Sequence, residues 1–131
     1  GPIVICPPNK NAKNLFKHLG MVIEIRNEEL SYKFWSTASI MGAFYEILNT
    51  SSNWLIKKGI NKKIAKNYIA ELFLSLSQDA ANKQSKGFKK LVADSQTPKG
   101  LNMQVLKELQ KGKFYSKFLK ALDNVNKRVS K

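Results

Sequence analysis

The residues of this sequence that could do chemistry are concentrated between positions 97 and 102. The stretch Thr97-Pro98-Lys99-Gly100 stands directly before a segment with the apolar spacing of a helix. Gly100 allows a ligand to approach the main chain closely. Backbone N–H groups at the start of a helix, helped by the helix dipole, form a ready anion site. Asn102 is the predicted N-cap, Lys99 adds positive charge, and a carboxylate would fit this set.

The same residues also suit a plain turn between two helices. Pro98 sets the bend, Gly100 relaxes the backbone and Asn102 caps the following helix. This combination is common between helices and carries no chemistry by itself. Considered alone, the six residues leave both interpretations open.

Metal and disulfide chemistry are excluded by the rarity of suitable side chains. Cys6 is the only cysteine and His18 the only histidine, so neither an internal disulfide nor a His/Cys metal site can form. We expect His18 to be a surface residue and the Cys6 thiol to be inert. A single cysteine favours a reducing compartment, and cytoplasmic localisation is the expectation.

The net charge of +14 raises the possibility of a basic nucleic-acid-binding protein. Of the 23 basic residues only Arg26 and Arg128 are arginine, which is the residue that bidentate base readout favours. The lysines are also dispersed along the sequence and form no dense block. A partner nucleic acid is therefore an alternative and not the leading hypothesis. No apolar run approaches the ~20 residues of a membrane span, so no membrane partner is expected.

The first 26 residues differ in pattern from the rest of the 131-residue chain. A short β-type run stops at Pro7 and Pro8, a helix capped by Asn9 or Asn11 ends near Gly20, and a second β-type run follows. Such a β-α-β unit normally lies parallel within a larger sheet. Two short strands are not stable alone, so we expect the chain to be the C-terminal part of a longer α/β protein.

From residue 27 onward every periodic segment is helical. One helix is expected from Asn27 to about Leu55, with Gly42 as a weak point, and another after Asn61. Shorter helices are expected at 88–93, 102–111 and 113–129. These helices carry more apolar surface than a monomeric bundle of this size buries, which favours a twofold dimer. Trp35, Trp54 and Phe73 are expected in the core or in dimer contacts.

The order of these elements resembles pyrroline-5-carboxylate reductase over nearly the whole chain. The most specific part is "DSQTPKGLNMQVLKELQKGKFYSKFLKALDNV", which is similar to the family's Ser/Thr-Pro-Gly-Gly-x-Thr loop and its last two helices. "ASIMGAFYEIL" is similar to the Ser-Gly-Ser-Gly-Pro-Ala-Tyr segment, where Ser39, Gly42 and Tyr45 are retained. "LIKKGINKKIAKNYIAELF" fits the family's Gly-hydrophobic-x-x-x-x-Ala pattern.

The resemblance implies a mainly α fold: a helical dimerisation bundle at 27–131, preceded by a short β-α-β remnant of a Rossmann-type nucleotide-binding domain at 1–26. It implies that the loop receives the substrate carboxylate, with Thr97, Gly100, Leu101 and Asn102 as substrate-binding residues. Pro98 stands at the family's Pro, whereas Lys99 replaces its first Gly and Asn102 its final Thr. No catalytic residue and no metal ligand is assigned.

The resemblance also implies the function. By this resemblance, the parent protein would be an NAD(P)H-dependent oxidoreductase that reduces a cyclic imine carboxylate to proline or a related product, with NADP or NAD as cofactor. Partners would be a second copy of the chain and a small imino acid. The chain has no Gly-rich dinucleotide fingerprint, so by itself it should be inactive and bind no cofactor. The replaced glycines motivate a further alternative, a non-catalytic helical dimerisation module.

Overall fold

The computed structural model describes residues 1–131 and begins with the expected β-α-β unit. Strand β1 (Ile3–Ile5) and strand β2 (Val22–Glu24) pair in parallel, with Ile3 opposite Val22, and helix α1 (Lys10–Phe16) connects them. The Asn9 side chain accepts a hydrogen bond from the Ala12 N–H at 2.9 Å and caps α1. Lys13 and Glu24 form an ion pair at 2.5 Å that ties α1 to β2.

Helices α2 (Glu28–Ala38) and α3 (Met41–Lys57) are separate, so the expectation of one helix from Asn27 to Leu55 is wrong. The break lies at Ser39 and Ile40, ahead of Gly42. Near the end of α2, the hydroxyl groups of Ser36, Thr37 and Ser39 donate to backbone carbonyl oxygens of the same helix. Such side-chain hydrogen bonds compete with the backbone hydrogen bonds of the helix, which explains why α2 ends here.

Helix α4 (Lys62–Asn82) begins at its predicted cap, because the Asn61 side chain accepts hydrogen bonds from the Lys63 and Ile64 N–H groups. Helix α4 packs against α3, and its residues Ala65 and Ile69 are buried. The rings of Phe44 and Phe73 meet edge to face across this contact, with centroids 6.0 Å apart.

The remaining helices follow the predicted order closely. A 3₁₀ turn (Gln84–Lys86) precedes α5 (Phe88–Asp94), and α6 (Leu101–Lys111) and α7 (Phe114–Val129) end the chain. Gly112 and Lys113 separate the last two helices as expected, with Lys113 at a φ of 58°. Six helices after a short parallel β-α-β unit confirm the predicted fold class.

The chain divides into two units, which we describe separately. One contains Gly1–Ile40 together with Ser116–Lys131, and the other contains Met41–Tyr115. In the first, Ile25 is buried and the Ser36 hydroxyl lies 3.4 Å from the Asn126 side-chain oxygen. In the second, the buried apolar residues are Ala65 and Ile69. Each unit therefore has a small core of its own.

Little apolar surface is buried within one copy of the chain. Only Ile25, Ala65 and Ile69 are buried hydrophobic residues, and Trp35 and Trp54 are each 58% exposed. The accessible surface is 10952 Å², whereas a folded monomer of 14.8 kDa exposes roughly 7,000 Å². None of the helices is both long and apolar enough to cross a membrane.

Candidate functional site

Residues 97 to 100 form a tight turn between α5 and α6. The Gly100 N–H donates to the Thr97 carbonyl oxygen at 2.8 Å, which closes the turn. Pro98 occupies its second position and Lys99 its third, with a φ of 61°. Pro in the second position and a positive φ in the third are the marks of a type II turn, which favours glycine in the third place. Lys99 therefore stands where the turn chemistry favours the glycine of the predicted motif.

Gly100 is the N-cap of α6 and lies directly against Thr97. Its φ of −74° and ψ of 158° are extended, and no side chain caps the helix. A Cβ at this position would collide with the Thr97 Oγ1 and lie 3.0 Å from the Thr97 carbonyl oxygen. Only glycine fits here without a shift of the turn.

The start of α6 has the features of an anion site. The first N–H groups of a helix have no acceptor within it, and here neither a capping side chain nor an acidic residue lies in the first turn. The groups concerned belong to Leu101 and Asn102, and the Leu101 side chain is 80% exposed. Lys99, one residue before the N-cap, is also exposed. Together these groups present a positive end of a helix to solvent, which a carboxylate would complement.

Asn102 is not the N-cap, contrary to the sequence-based expectation. Because Gly100 has the extended backbone of a cap, α6 starts at Leu101 and places Asn102 inside the first turn. Its side-chain amide instead donates to the Ser95 carbonyl oxygen at 3.1 Å. Asn102 thus ties the start of α6 to the end of α5 and fixes the two ends of the loop.

Gln96 is a candidate site residue that the sequence did not reveal. Its Nε2 donates to the Ser95 Oγ at 2.8 Å, and that hydroxyl in turn donates to the Val92 carbonyl oxygen at 2.8 Å. The Gln96 Oε1 is buried and has no hydrogen-bond donor in the chain. Buried polar atoms normally have partners, so this oxygen next to Thr97 is an unmet acceptor that a movement of the Gln96 side chain would present to a ligand. A lone Gln beside a turn gives no signal in the sequence.

The acidic residue nearest in sequence to the loop is neutralised locally. Asp94 ends α5 and pairs with Lys90 one turn earlier. The hydrogen bond from Lys90 lowers the pKa of Asp94 below its ordinary value of 3.8. The carboxylate therefore stays ionised but is already paired, which limits its repulsion of an anionic ligand.

The residues retained from the Ser-Gly-Ser-Gly-Pro-Ala-Tyr segment lie around the break between α2 and α3. Ser39 is the C-cap of α2, and its Oγ donates to the Ser36 carbonyl oxygen at 2.6 Å. A Cβ on Gly42 would meet nothing within 4 Å, and Tyr45 is 58% exposed. Ser39, Gly42 and Tyr45 therefore lie at or near this break, and a role for them in binding stays a prediction.

Comparison with known families decides the relationship. A family model described as pyrroline-5-carboxylate reductase dimerisation matches residues 34–131, about three quarters of the chain. The chain belongs to this family. The match includes the loop at 97–102 and all helices from α3 onward, which confirms the resemblance identified in the sequence.

Solved structures of the family share the fold. A pyrroline-5-carboxylate reductase from Coxiella burnetii superposes with a TM-score of 0.77 at 22% identity, over 94% of this chain and 47% of that one. The Plasmodium falciparum pyrroline carboxylate reductase, solved with NADP bound, gives a TM-score of 0.71 at 18% identity, over 91% and 45%. The chain thus spans about half the length of these proteins. No curated protein sequence matches it.

Proposed function

We propose that this chain is the dimerisation and substrate-binding half of a pyrroline-5-carboxylate reductase-like enzyme. The longer parent would use NADP or NAD to reduce a cyclic imine carboxylate to proline or a related product. Residues 1–26 would be the end of its nucleotide-binding domain and residues 27–131 its helical domain. The observation that carries the proposal is the loop at 97–102 in a chain of this family. Its turn requires glycine at position 100, and the helix that follows has no side-chain cap.

The loop offers a separate partner for each polar group of the substrate. The carboxylate would accept hydrogen bonds from the Leu101 and Asn102 N–H groups, and the Thr97 hydroxyl would donate beside them. The Gln96 Oε1, which lacks a donor and is buried, would accept from the ring N–H of the protonated imine after the Gln96 side chain turns outward. Both ends of a small ring would then be fixed, which is how positioning contributes to catalysis.

The nicotinamide supplies the hydride in such a reaction, and no residue of this chain is assigned to it. The Gly-rich fingerprint that binds dinucleotides after a first strand is absent from the sequence. We therefore expect the 131-residue chain alone to show no NADPH oxidation with the imine. The same protein inside its parent is expected to be active and cytoplasmic.

The dimer proposal is supported by the surface that one copy leaves exposed. The excess over a compact monomer is roughly 4,000 Å² per copy, or about 8,000 Å² for two copies, which is at or above the upper end of obligate interfaces. On α4, a row that borders the face packed on α3 carries apolar side chains at every fourth position. These are Ile64, Tyr68, Leu72 and Leu76, all at least 36% exposed. A second copy of the chain would cover this row.

Binding of L-proline to the chain tests the loop directly. In ¹H–¹⁵N correlation spectra, L-proline should shift the amide signals of Gly100, Leu101 and Asn102 in a saturable way. Gly100→Ala should abolish the shifts, because its Cβ meets Thr97. The matched control is Gly112→Ala at the other end of α6, where a Cβ makes only ordinary contacts, and it should bind as the unchanged chain does.

Two outcomes would count against the proposal. If L-proline shifts no loop amide while the chain still dimerises, the non-catalytic dimerisation module becomes the better description. If Gly112→Ala and Gly100→Ala lose binding equally, the effect lies in helix stability and not in the loop. In the parent protein, the corresponding measurement is NADPH oxidation with pyrroline-5-carboxylate, and its absence would remove the reductase assignment.

A further inference from the structure

The turn between α3 and α4 groups positive charges that look dispersed along the sequence. Helix α3 ends at Lys57, α4 begins at Lys62, and the two helices pack together. The turn therefore holds four lysines at one end of the helix pair, and we call this group the basic tip: Lys57, Lys58, Lys62 and Lys63. No acidic residue lies between Glu46 and Glu71, so the charge of this segment is wholly positive.

The charge of the basic tip is not neutralised within the chain. All four lysines are exposed, and none of them takes part in an ion pair. The Lys58 ammonium lies 5.7 Å from the centroid of the Trp54 ring, a contact that leaves its charge uncompensated. An anionic partner would supply the counter-charge that the chain lacks.

Two of these lysines occupy positions where acidic residues would stabilise the helix. Lys62 and Lys63 are the first two residues of α4, and its first turn contains no acidic residue. The positive end of a helix favours negative side chains and disfavours positive ones. The dipole of α4 and the two ammonium groups thus add to one positive potential at the tip. This arrangement costs helix stability and becomes favourable when a negative surface faces it.

Exposed apolar side chains at the same end indicate what kind of surface this is. Gly59, at a φ of 94°, reverses the chain, and the Ile60 N–H donates to the Leu55 carbonyl oxygen at 3.1 Å. Ile60 lies in this turn among the lysines and is 42% exposed, and Trp54 is 58% exposed. Lysines around isoleucine and tryptophan match the boundary of a lipid layer, where ammonium groups meet phosphates and apolar groups leave water.

A nucleic acid would match the tip less well. Its phosphates would satisfy the charges, but its backbone offers no apolar environment to Ile60. One face of the Trp54 ring is already covered by Lys58, which leaves less of the ring for a stacked base. The tip also contains no arginine, the residue that suits bidentate recognition.

We propose that the basic tip docks on an anionic phospholipid surface. The four ammonium groups contact headgroup phosphates, and Ile60 and the Trp54 indole lie where the headgroups meet the acyl chains. Such contact holds a protein on the surface and needs no helix that crosses it. The inference is independent of the proposed reductase function, because the tip shares no residue with the loop at 97–102.

Sedimentation with vesicles tests the proposal on the 131-residue chain. The chain should sediment with phosphatidylcholine vesicles that contain about 30% phosphatidylglycerol, and stay in solution with phosphatidylcholine alone. Raising the salt from about 0.05 M to about 0.5 M should release it, because salt screens the attraction. No binding to the anionic vesicles, or equal binding to both kinds, would overturn the proposal.

Tryptophan fluorescence separates a lipid partner from a nucleic acid. The Trp35→Phe variant leaves Trp54 as the sole tryptophan, and its emission should move to shorter wavelength on the anionic vesicles as the indole leaves water. Vesicle binding without this shift would contradict the proposed depth of the tip. Equal or tighter binding to duplex DNA at the same phosphate concentration would assign the tip to nucleic acid instead.

Charge reversal locates the contact. The double variant Lys62→Glu, Lys63→Glu should weaken vesicle binding more than about twentyfold, since each lysine near an anionic surface contributes about fivefold. Glutamates favour the start of α4, so unfolding would not explain the loss. The control Lys117→Glu, Lys120→Glu makes the same charge change at exposed positions on α7 and should bind within about threefold of the unchanged chain. Equal losses in both variants would attribute binding to net charge and contradict the assignment to the tip.

Discussion

Lys99 has a backbone conformation that costs free energy for any residue with a Cβ. Its φ is 61°, a region that costs a non-glycine residue about 1–2 kcal/mol. Glycine removes this cost but loses about 0.5–1 kcal/mol of chain entropy on folding. We therefore expect Lys99→Gly to raise the free energy of unfolding by about 0.5–1 kcal/mol, measured by denaturant titration at fixed protein concentration.

The control for this variant is Lys99→Ala, which removes the charge but keeps the Cβ. It should show no comparable gain, because the left-handed backbone is as costly for alanine as for lysine. A stabilisation by alanine as large as that by glycine would attribute the effect to charge and contradict the argument from the turn.

Asp94 makes a contribution to the stability of the folded chain that depends on pH in a definite direction. Its pKa is lowered, first by the hydrogen bond from Lys90 and then by nearby lysine charges. A lowered pKa means that the stabilisation is fully present above 3.8 and is lost as the pH falls through the lower value in the folded state. In an NMR titration, the Asp94 carboxyl should titrate below 3.8, and Lys90→Ala should move its midpoint upward. An unchanged midpoint would exclude Lys90 as the cause.

At the scale of the element, the start of α4 depends on one asparagine. The Asn61 side chain accepts from the Lys63 N–H at 2.9 Å and the Ile64 N–H at 3.4 Å. Asn61→Ala leaves these donors without the cap and should lower the free energy of unfolding by about 1 kcal/mol. Thermal or denaturant unfolding followed by circular dichroism measures the change.

Asn67→Ala, in the exposed middle of the same helix, is the matched control. Alanine has the higher helix propensity there, so this variant should be neutral or stabilised by a few tenths of a kcal/mol. If both variants were destabilised alike, the loss would reflect asparagine in general and not the cap.

Helices and caps were predictable because their signals are local. Asn9, Asn27 and Asn61 each cap the helix that the sequence indicated. The break after Ala38 was missed because it depends on hydroxyl–carbonyl bonds, which sequence spacing does not reveal. The cap of α6 was misplaced by two residues because Gly100 takes the extended backbone that Asn102 was expected to have.

The candidate site was predictable only in its turn residues. Thr97, Pro98 and Gly100 have types that a tight turn requires, and the structure brings them together. Gln96 was missed because its significance lies in a buried oxygen without a donor, which is a property of packing.

For the whole molecule, we expect a dimer with twice the mass of the 14.8 kDa chain in sedimentation equilibrium. Tyr68 lies in the middle of the exposed apolar row on α4 and is 58% exposed. Tyr68→Lys would bury an unpaired charge in the interface, which is strongly unfavourable. The variant should therefore sediment as a monomer at concentrations where the unchanged chain is dimeric.

Asn67→Lys introduces the same side chain on the same helix at an exposed polar position outside the row. It should remain dimeric, which separates the effect of position from that of added charge. A monomeric unchanged chain, or a dimeric Tyr68→Lys variant, would show that the row on α4 is not the interface.

The small number of buried side chains also bears on how the native state is reached. Only Ile25, Ala65 and Ile69 are buried hydrophobic residues, so a single copy buries little apolar surface on folding. We expect contact with a second copy to supply most of the remaining burial. Renaturation should therefore be an encounter-limited, second-order process whose half-time lengthens on dilution. In a cell, the abundance of newly made copies would then govern how quickly they mature.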